Sequence, residues 1–205
     1  MRAACNSRWT VYPMVGIAVA LWSGPARAHL NSTGMGPIYD GSMHFLMSPE
    51  DLVPVLALAL LSGQRGAQYG RRTLFVLPAA WLLGGLLGLM GSATSGSPLA
   101  SAIWFLLLGG LLAADVKLSV RTTAALAAAL GLYGGYLNGT GMGRAESATV
   151  SLLGLGVAVF VLVALAAALV VPLRANWARV AVRVAGSWIA ASGILMFGWA
   201  ARARL

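Results

Sequence analysis

Charged residues are scarce in this chain of 205 residues. Aspartate, glutamate, lysine and arginine together make up 9% of it, whereas hydrophobic residues make up 59%. A soluble domain carries about 25% charged residues, so the composition excludes an aqueous globule. It predicts an all-α, polytopic membrane helix bundle whose first partner is the lipid bilayer. The net charge of +9 would favour nucleic acid in a soluble protein. Here the basic residues stand between apolar runs, and we expect no nucleic-acid partner.

Cysteine and histidine are also rare, which limits the chemistry that the chain can perform. The single cysteine, Cys5, lies in a segment that we expect to be removed, so the mature chain would have neither a disulfide nor a thiolate metal site. The sequence lacks a zinc-protease histidine pair, a Gly-x-Ser-x-Gly elbow and a phosphate-binding glycine loop. Two histidines are too few for bis-histidine heme anchoring. We therefore expect no enzyme and no permanently bound cofactor.

The N-terminal segment has the features of a secretory signal peptide over residues 1–28. Arg2 and Arg8 form a basic region, residues 9–22 are apolar, and Ala26-Arg27-Ala28 is an A-x-A cleavage site. Cleavage after Ala28 would make His29 the first mature residue, on the outer, periplasmic side of a bacterial inner membrane. An uncleaved signal anchor is the alternative, and it gives the same orientation.

Apolar runs in residues 50–205 predict six membrane spans. The first is short, so a broken or re-entrant helix is an alternative there. Basic residues concentrate in the loops that this layout places inside, as the positive-inside rule requires. Arg202 and Arg204 are the exception, because six spans place the C-terminal tail outside. If one span is miscounted, the tail lies inside and the exception disappears. The six spans are Glu50–Leu61, Thr73–Met90, Leu99–Ala114, Thr122–Leu137, Val150–Val171 and Val182–Ala200.

A polar segment over residues 29–49, with the two residues that follow it, is the candidate metal site. It holds both histidines of the chain and three of its five acidic residues. Ionisable side chains beside a bilayer are costly and usually mark a site or pathway. Imidazole with carboxylate suits divalent nickel, cobalt or zinc. The predicted ligands are His44, Asp40, Glu50, Asp51 and His29, the last helped by its free amine if the signal is cleaved.

A structural explanation of the same residues stays open. Ser48-Pro49-Glu50-Asp51 has the pattern of a helix start, with serine as N-cap, proline at the first position and a capping box. In that case Glu50 and Asp51 would only satisfy the helix dipole. His44 would be an interfacial hydrogen-bonding residue.

A seven-residue pattern occurs twice. Residues 30–36 and 137–143 share six of seven positions, and both copies fall on the outer side of the predicted layout. Glycine next to asparagine and threonine suits turns that expose backbone carbonyls and side-chain oxygens. We predict that Asn31, Thr33, Asn138 and Thr140 line one pore or vestibule. Chance recurrence of ordinary loop residues is the alternative.

These motifs resemble the HupE/UreJ family of bacterial membrane proteins. The resemblance rests on Gly34-Met-Gly-Pro-Ile-Tyr-Asp40-Gly41-x-x-His44, on Ser48-Pro-Glu50-Asp51-Leu-Val-Pro54 and on the glycine-rich spans that follow. Membership would imply nickel or cobalt uptake in hydrogenase and urease systems. The family signature His-Pro-x-x-Gly-x-Asp-His places its first histidine on His44, its aspartate on Glu50 and its second histidine on Asp51. At Asp51 a carboxylate oxygen replaces an imidazole nitrogen, which makes the ligand set harder in the Lewis acid–base sense.

Together these features predict a secondary permease for a divalent transition-metal cation, nickel or cobalt first, without a nucleotide site. The membrane potential would drive the ion inward. The alternative is a non-transporting accessory protein that binds metal or assists metalloenzyme assembly proteins. The sequence does not indicate the oligomeric state.

Overall fold

The computed structural model describes residues 34–92, 96–143, 145–172 and 176–202, and in these ranges the chain is helical with no strand. The predicted signal peptide and the candidate residues His29, Asn31 and Thr33 lie outside the described residues. The helices within these ranges are α1 (Pro37–Met47), α2 (Pro49–Gln64), α3 (Ala67–Met90), α4 (Pro98–Ala113), α5 (Val120–Met142), α6 (Ala148–Val170) and α7 (Asn176–Arg202).

The predicted all-α membrane bundle is confirmed, but the count of six spans is not. Each predicted span overlaps one helix from α2 to α7. Among the described residues, three helices are long and apolar enough to cross a bilayer, namely α3, α6 and α7, and the bent pair of α1 and α2 would make a fourth. Helix α4 has 16 residues, fewer than the roughly 20 that a straight span needs.

The first predicted span is a broken helix. Helices α1 and α2 meet at Ser48 with a bend of 77°. Pro49 occupies the first turn of α2, where its missing N–H costs nothing. Ser48 is the N-cap, as expected, but the capping box is wrong: its hydroxyl donates to the carbonyl of His44 at 2.7 Å and makes no side-chain cap bond. The bend therefore brings the end of α1 beside the first turn of α2.

Helix α2 is the centre of the bundle and packs against every other helix described above. Its side chains Val55, Leu58 and Leu61 are fully buried or nearly so. Because α2 touches all its neighbours, residues in its first turn can meet side chains from several other helices at once.

Glycines hold α5 against α3. A Cβ atom at Gly135 would collide with the backbone carbonyl of Trp81, and one at Gly88 would collide with the carbonyl of Tyr136. Small residues at such contacts let helix backbones approach closely in lipid. This close approach fixes the last turns of α5, which carry Asn138, against α3.

The far end of the bundle is held by an ionic cluster. Asp115, in the loop between α4 and α5, pairs with Arg65 at the end of α2 and with Arg179 of α7, the latter at 3.2 Å. Arg65 follows Glu50 by fifteen residues, which is about 22 Å along a helix. The cluster therefore lies at the opposite end of α2 from the predicted metal ligands.

Candidate functional site

A cavity of about 320 Å³ opens at the bend between α1 and α2. Ligand-binding cavities usually start near 300 Å³, so this one suits a small solute. Side chains from α1 to α5 line it. Four of the predicted site residues are among them, on three different helices: His44, Glu50, Asp51 and Asn138.

Asp51 and Asn138 form the central contact of this cavity. The Asn138 Nδ2 atom donates to Asp51 Oδ2 at 2.9 Å and to the carbonyl of Gly134 at 2.9 Å. Asn138 is 7% exposed, and its amide also interacts with the imidazole of His44. A hydrogen bond to a charged acceptor is stronger than a neutral one. Asn138 therefore orients the Asp51 carboxylate from across the cavity.

Glu50 lies beside Asp51 but has a looser environment. Its Oε2 atom is 3.4 Å from the hydroxyl of Ser101 on α4, which is a long contact. The residue is exposed, whereas Asp51 is half-buried. Both acids stand in the first turn of α2, where the helix dipole favours negative charge. Glu50 and Asp51 can therefore stabilise the start of α2 and also line the cavity.

The other predicted residues lie elsewhere. Asp40 stands one turn before His44 on α1 and does not line the cavity, which reaches only the C-terminal end of that helix. Thr140 is buried, does not line the cavity, and donates to the carbonyl of Leu137 at 2.9 Å. In the described part of the chain, no three histidine, cysteine or acidic side chains come together as a metal-binding group. The expected convergence of His44, Asp40, Glu50 and Asp51 on one ion is thus not found there.

The model of the family described as "HupE / UreJ protein" matches residues 17–196. This chain belongs to the HupE / UreJ family. The match covers most of the chain, including all of the cavity described above. Neither the curated proteins nor the solved structures hold a match to it. Family membership and the apolar helices together make it a multi-pass membrane protein.

Aromatic side chains complete the cavity of this HupE / UreJ protein, and the sequence analysis missed them. Trp81, Trp104 and Tyr133 line it. The rings of Trp104 and Tyr133 lie 6.2 Å apart, and Trp81 packs edge-on against Phe45 at 5.7 Å. In sequence these residues read as ordinary apolar helix positions. Tyr133 precedes Asn138 by five residues, a spacing that puts two side chains on different faces of a helix, so the spacing gave no signal either.

Proposed function

We propose that this HupE / UreJ protein is a secondary permease for a divalent transition-metal cation, nickel or cobalt first, in the bacterial inner membrane. The observation that supports this function is the hydrogen-bonded pair of Asp51 and Asn138, set with His44 and Glu50 in a cavity at one end of a membrane bundle. Two carboxylates at a cavity mouth attract cations, and imidazole favours transition metals.

The direction of transport follows from the distribution of charge. Arg65, Arg71 and Arg72 follow the far end of α2, and basic residues favour the cytoplasmic side. The cavity then faces the periplasm. Moving one charge across 100 mV is worth about 2.3 kcal/mol, hence about 4.6 kcal/mol for a divalent ion. Inward transport therefore needs neither a nucleotide nor a chemical reaction.

Uptake of radioactive nickel or cobalt into proteoliposomes tests the proposal. Asp51→Asn removes one carboxylate from the cavity and should reduce uptake by about 10- to 150-fold, since one lost charge-assisted contact is worth about 1.5–3 kcal/mol. Glu146→Gln is the matched control, because Glu146 is exposed in the loop after α5 and does not line the cavity. Equal uptake by the wild type and Asp51→Asn would contradict the assignment of Asp51.

A second function, a non-transporting accessory protein that binds metal or assists metalloenzyme assembly, has one observation in its favour. In the described ranges, three acidic residues do not line the cavity: Asp40 on α1, and Asp115 and Glu146 in loops. Asp115 is held by two arginines. Helices α3 to α7 therefore carry no carboxylate. Metal binding without any uptake by the wild type would select this function over the permease.

A further inference from the structure

A second cavity, of about 360 Å³, lies at the end of the bundle opposite the candidate metal site. We call it the basic-end cavity; Gln64 at the end of α2, Val170 at the end of α6 and Arg179 near the start of α7 are among the residues that line it. Of the described residues in its lining, none is acidic. The first cavity has the opposite character, because the described residues that line it include Glu50 and Asp51 but neither arginine nor lysine.

Arginines around the basic-end cavity outnumber the carboxylates that the structure describes there. Arg65 and Arg179 share one carboxylate, that of Asp115. Arg183, one turn after Arg179, donates to the backbone carbonyl of Ala113 at 2.9 Å. The helix ends contribute little net charge, because α2 and α6 end at this cavity while α3 and α7 begin there. The side chains therefore give this end of the bundle a positive field that favours an anion.

The side chain of Arg179 is accessible to such an anion. It is 54% exposed, and its hydrogen bond within the described residues is the one to Asp115 at 3.2 Å. A guanidinium group has five N–H donors in a planar fork, which matches the oxygen atoms of a phosphate. Most of these donors therefore remain for a ligand.

Two tryptophans of α7 place Arg179 at the level of the lipid headgroups. Trp177 and Trp199 are 75% and 80% exposed. They lie 22 residues apart, which is about 33 Å along a helix and close to the ~30 Å of a hydrocarbon core. Exposed tryptophans typically mark the two boundaries of that core. Because Arg179 follows Trp177 by two residues, its guanidinium group lies at the depth of phospholipid phosphates.

An apolar groove leads away from the basic-end cavity between α6 and α7. These two helices follow each other in the chain but make at most marginal contact, since α7 packs mainly against α4. Helix α2 packs against both of them and forms the floor of the groove. On α2, Leu60 and Leu56 lie one and two turns before Gln64 and share its face. Both leucines are half-buried, so the floor is apolar.

We propose that the basic-end cavity binds an anionic phospholipid, with its phosphate on Arg179 and an acyl chain in the groove between α6 and α7. Basic pockets between membrane helices on the cytoplasmic side suit the headgroups of such lipids, and basic residues favour that side. A free phosphate would match the charge of the cavity but would leave the groove empty. The proposal does not depend on the permease function, since it concerns the other end of the bundle.

Native mass spectrometry of the purified full-length protein in detergent tests the proposal. The probes are phosphatidylglycerol, which is anionic, and phosphatidylcholine with the same acyl chains, which has no net charge. The wild type should bind phosphatidylglycerol at least about fivefold more tightly, and Arg179→Gln should lose about fivefold of that affinity. Arg72→Gln is the matched control, because Arg72 is exposed on α3 near the same end and does not line the cavity. It should leave the affinity unchanged.

Three outcomes would overturn the proposal. One is equal binding of the two lipids by the wild type. Another is an equal loss in Arg179→Gln and Arg72→Gln, which would indicate a general basic surface. The third is displacement of phosphatidylglycerol by an equal concentration of glycerol 3-phosphate, which has the phosphate without acyl chains and would indicate a site for small anions. If Arg179→Gln fails to fold, the two wild-type measurements still decide.

Discussion

The bond between Asn138 and Asp51 can be measured by a double-mutant cycle. Asn138→Leu keeps the approximate size of the side chain but removes the Nδ2 atom that donates to Asp51 at 2.9 Å. The carbonyl of Gly134 also accepts from that atom, but it lies four residues earlier on α5 and keeps its backbone partner. The loss therefore falls on the Asp51 carboxylate. A hydrogen bond to a charged group contributes about 1.5–3 kcal/mol.

The assay is thermal unfolding of the purified protein in detergent without added metal. A chain of this length loses about 2–4 °C in Tm for each kcal/mol, so Asn138→Leu should lower Tm by about 3–12 °C. In an Asp51→Leu background the same change should cost little, because the acceptor is already gone. Ser192→Ala, which removes an exposed hydroxyl bonded within α7, is the control. Additive costs for the two leucine substitutions would refute a direct interaction.

Two further stability predictions concern packing and the far end of the bundle. Gly135→Ala should lower the yield of folded protein, because its Cβ would meet the backbone of α3, whereas Gly110→Ala, with nothing within 4 Å of its Cβ, should not. Folded yield after detergent extraction distinguishes them. Asp115→Asn should destabilise the protein by about 1–3 kcal/mol, between the values for surface and buried pairs. A thermal melt of Asp115→Asn equal to that of Glu146→Gln would contradict this.

Much of the fold could be predicted from the sequence because a bilayer imposes a simple rule. Apolar runs of sufficient length must be helices, and each predicted span overlaps one described helix. The number of crossings could not be predicted in the same way. It depends on tilt and on bends such as the one at Ser48, which tertiary packing decides.

The candidate site could be predicted only in part. Asn138 was singled out by the repeated pattern, and its contact with Asp51 joins positions 87 residues apart. The repeat gave no information on that distance. The glycine contacts place α5 against α3, and both helices pack against α2, which carries Asp51. Trp81 and Tyr133 could not be found from the sequence, because an aromatic residue in an apolar helix usually packs in the core. Only the three-dimensional arrangement shows that both residues line a cavity.

The electrostatics of the cavity follow from how the helices end around it. The C-terminal ends of α1 and α5 reach the cavity at His44 and Met142, and the first turns of α2 and α4 reach it at Asp51 and Ser101. Each helix end carries about half an elementary charge, negative at a C-terminus and positive at an N-terminus. The partial charges of two C-terminal and two N-terminal helix ends therefore nearly cancel. The net charge is then set by the carboxylates of Glu50 and Asp51, which together contribute −2 when both are ionised. That charge balances the charge of one divalent cation, and opposite charges attract.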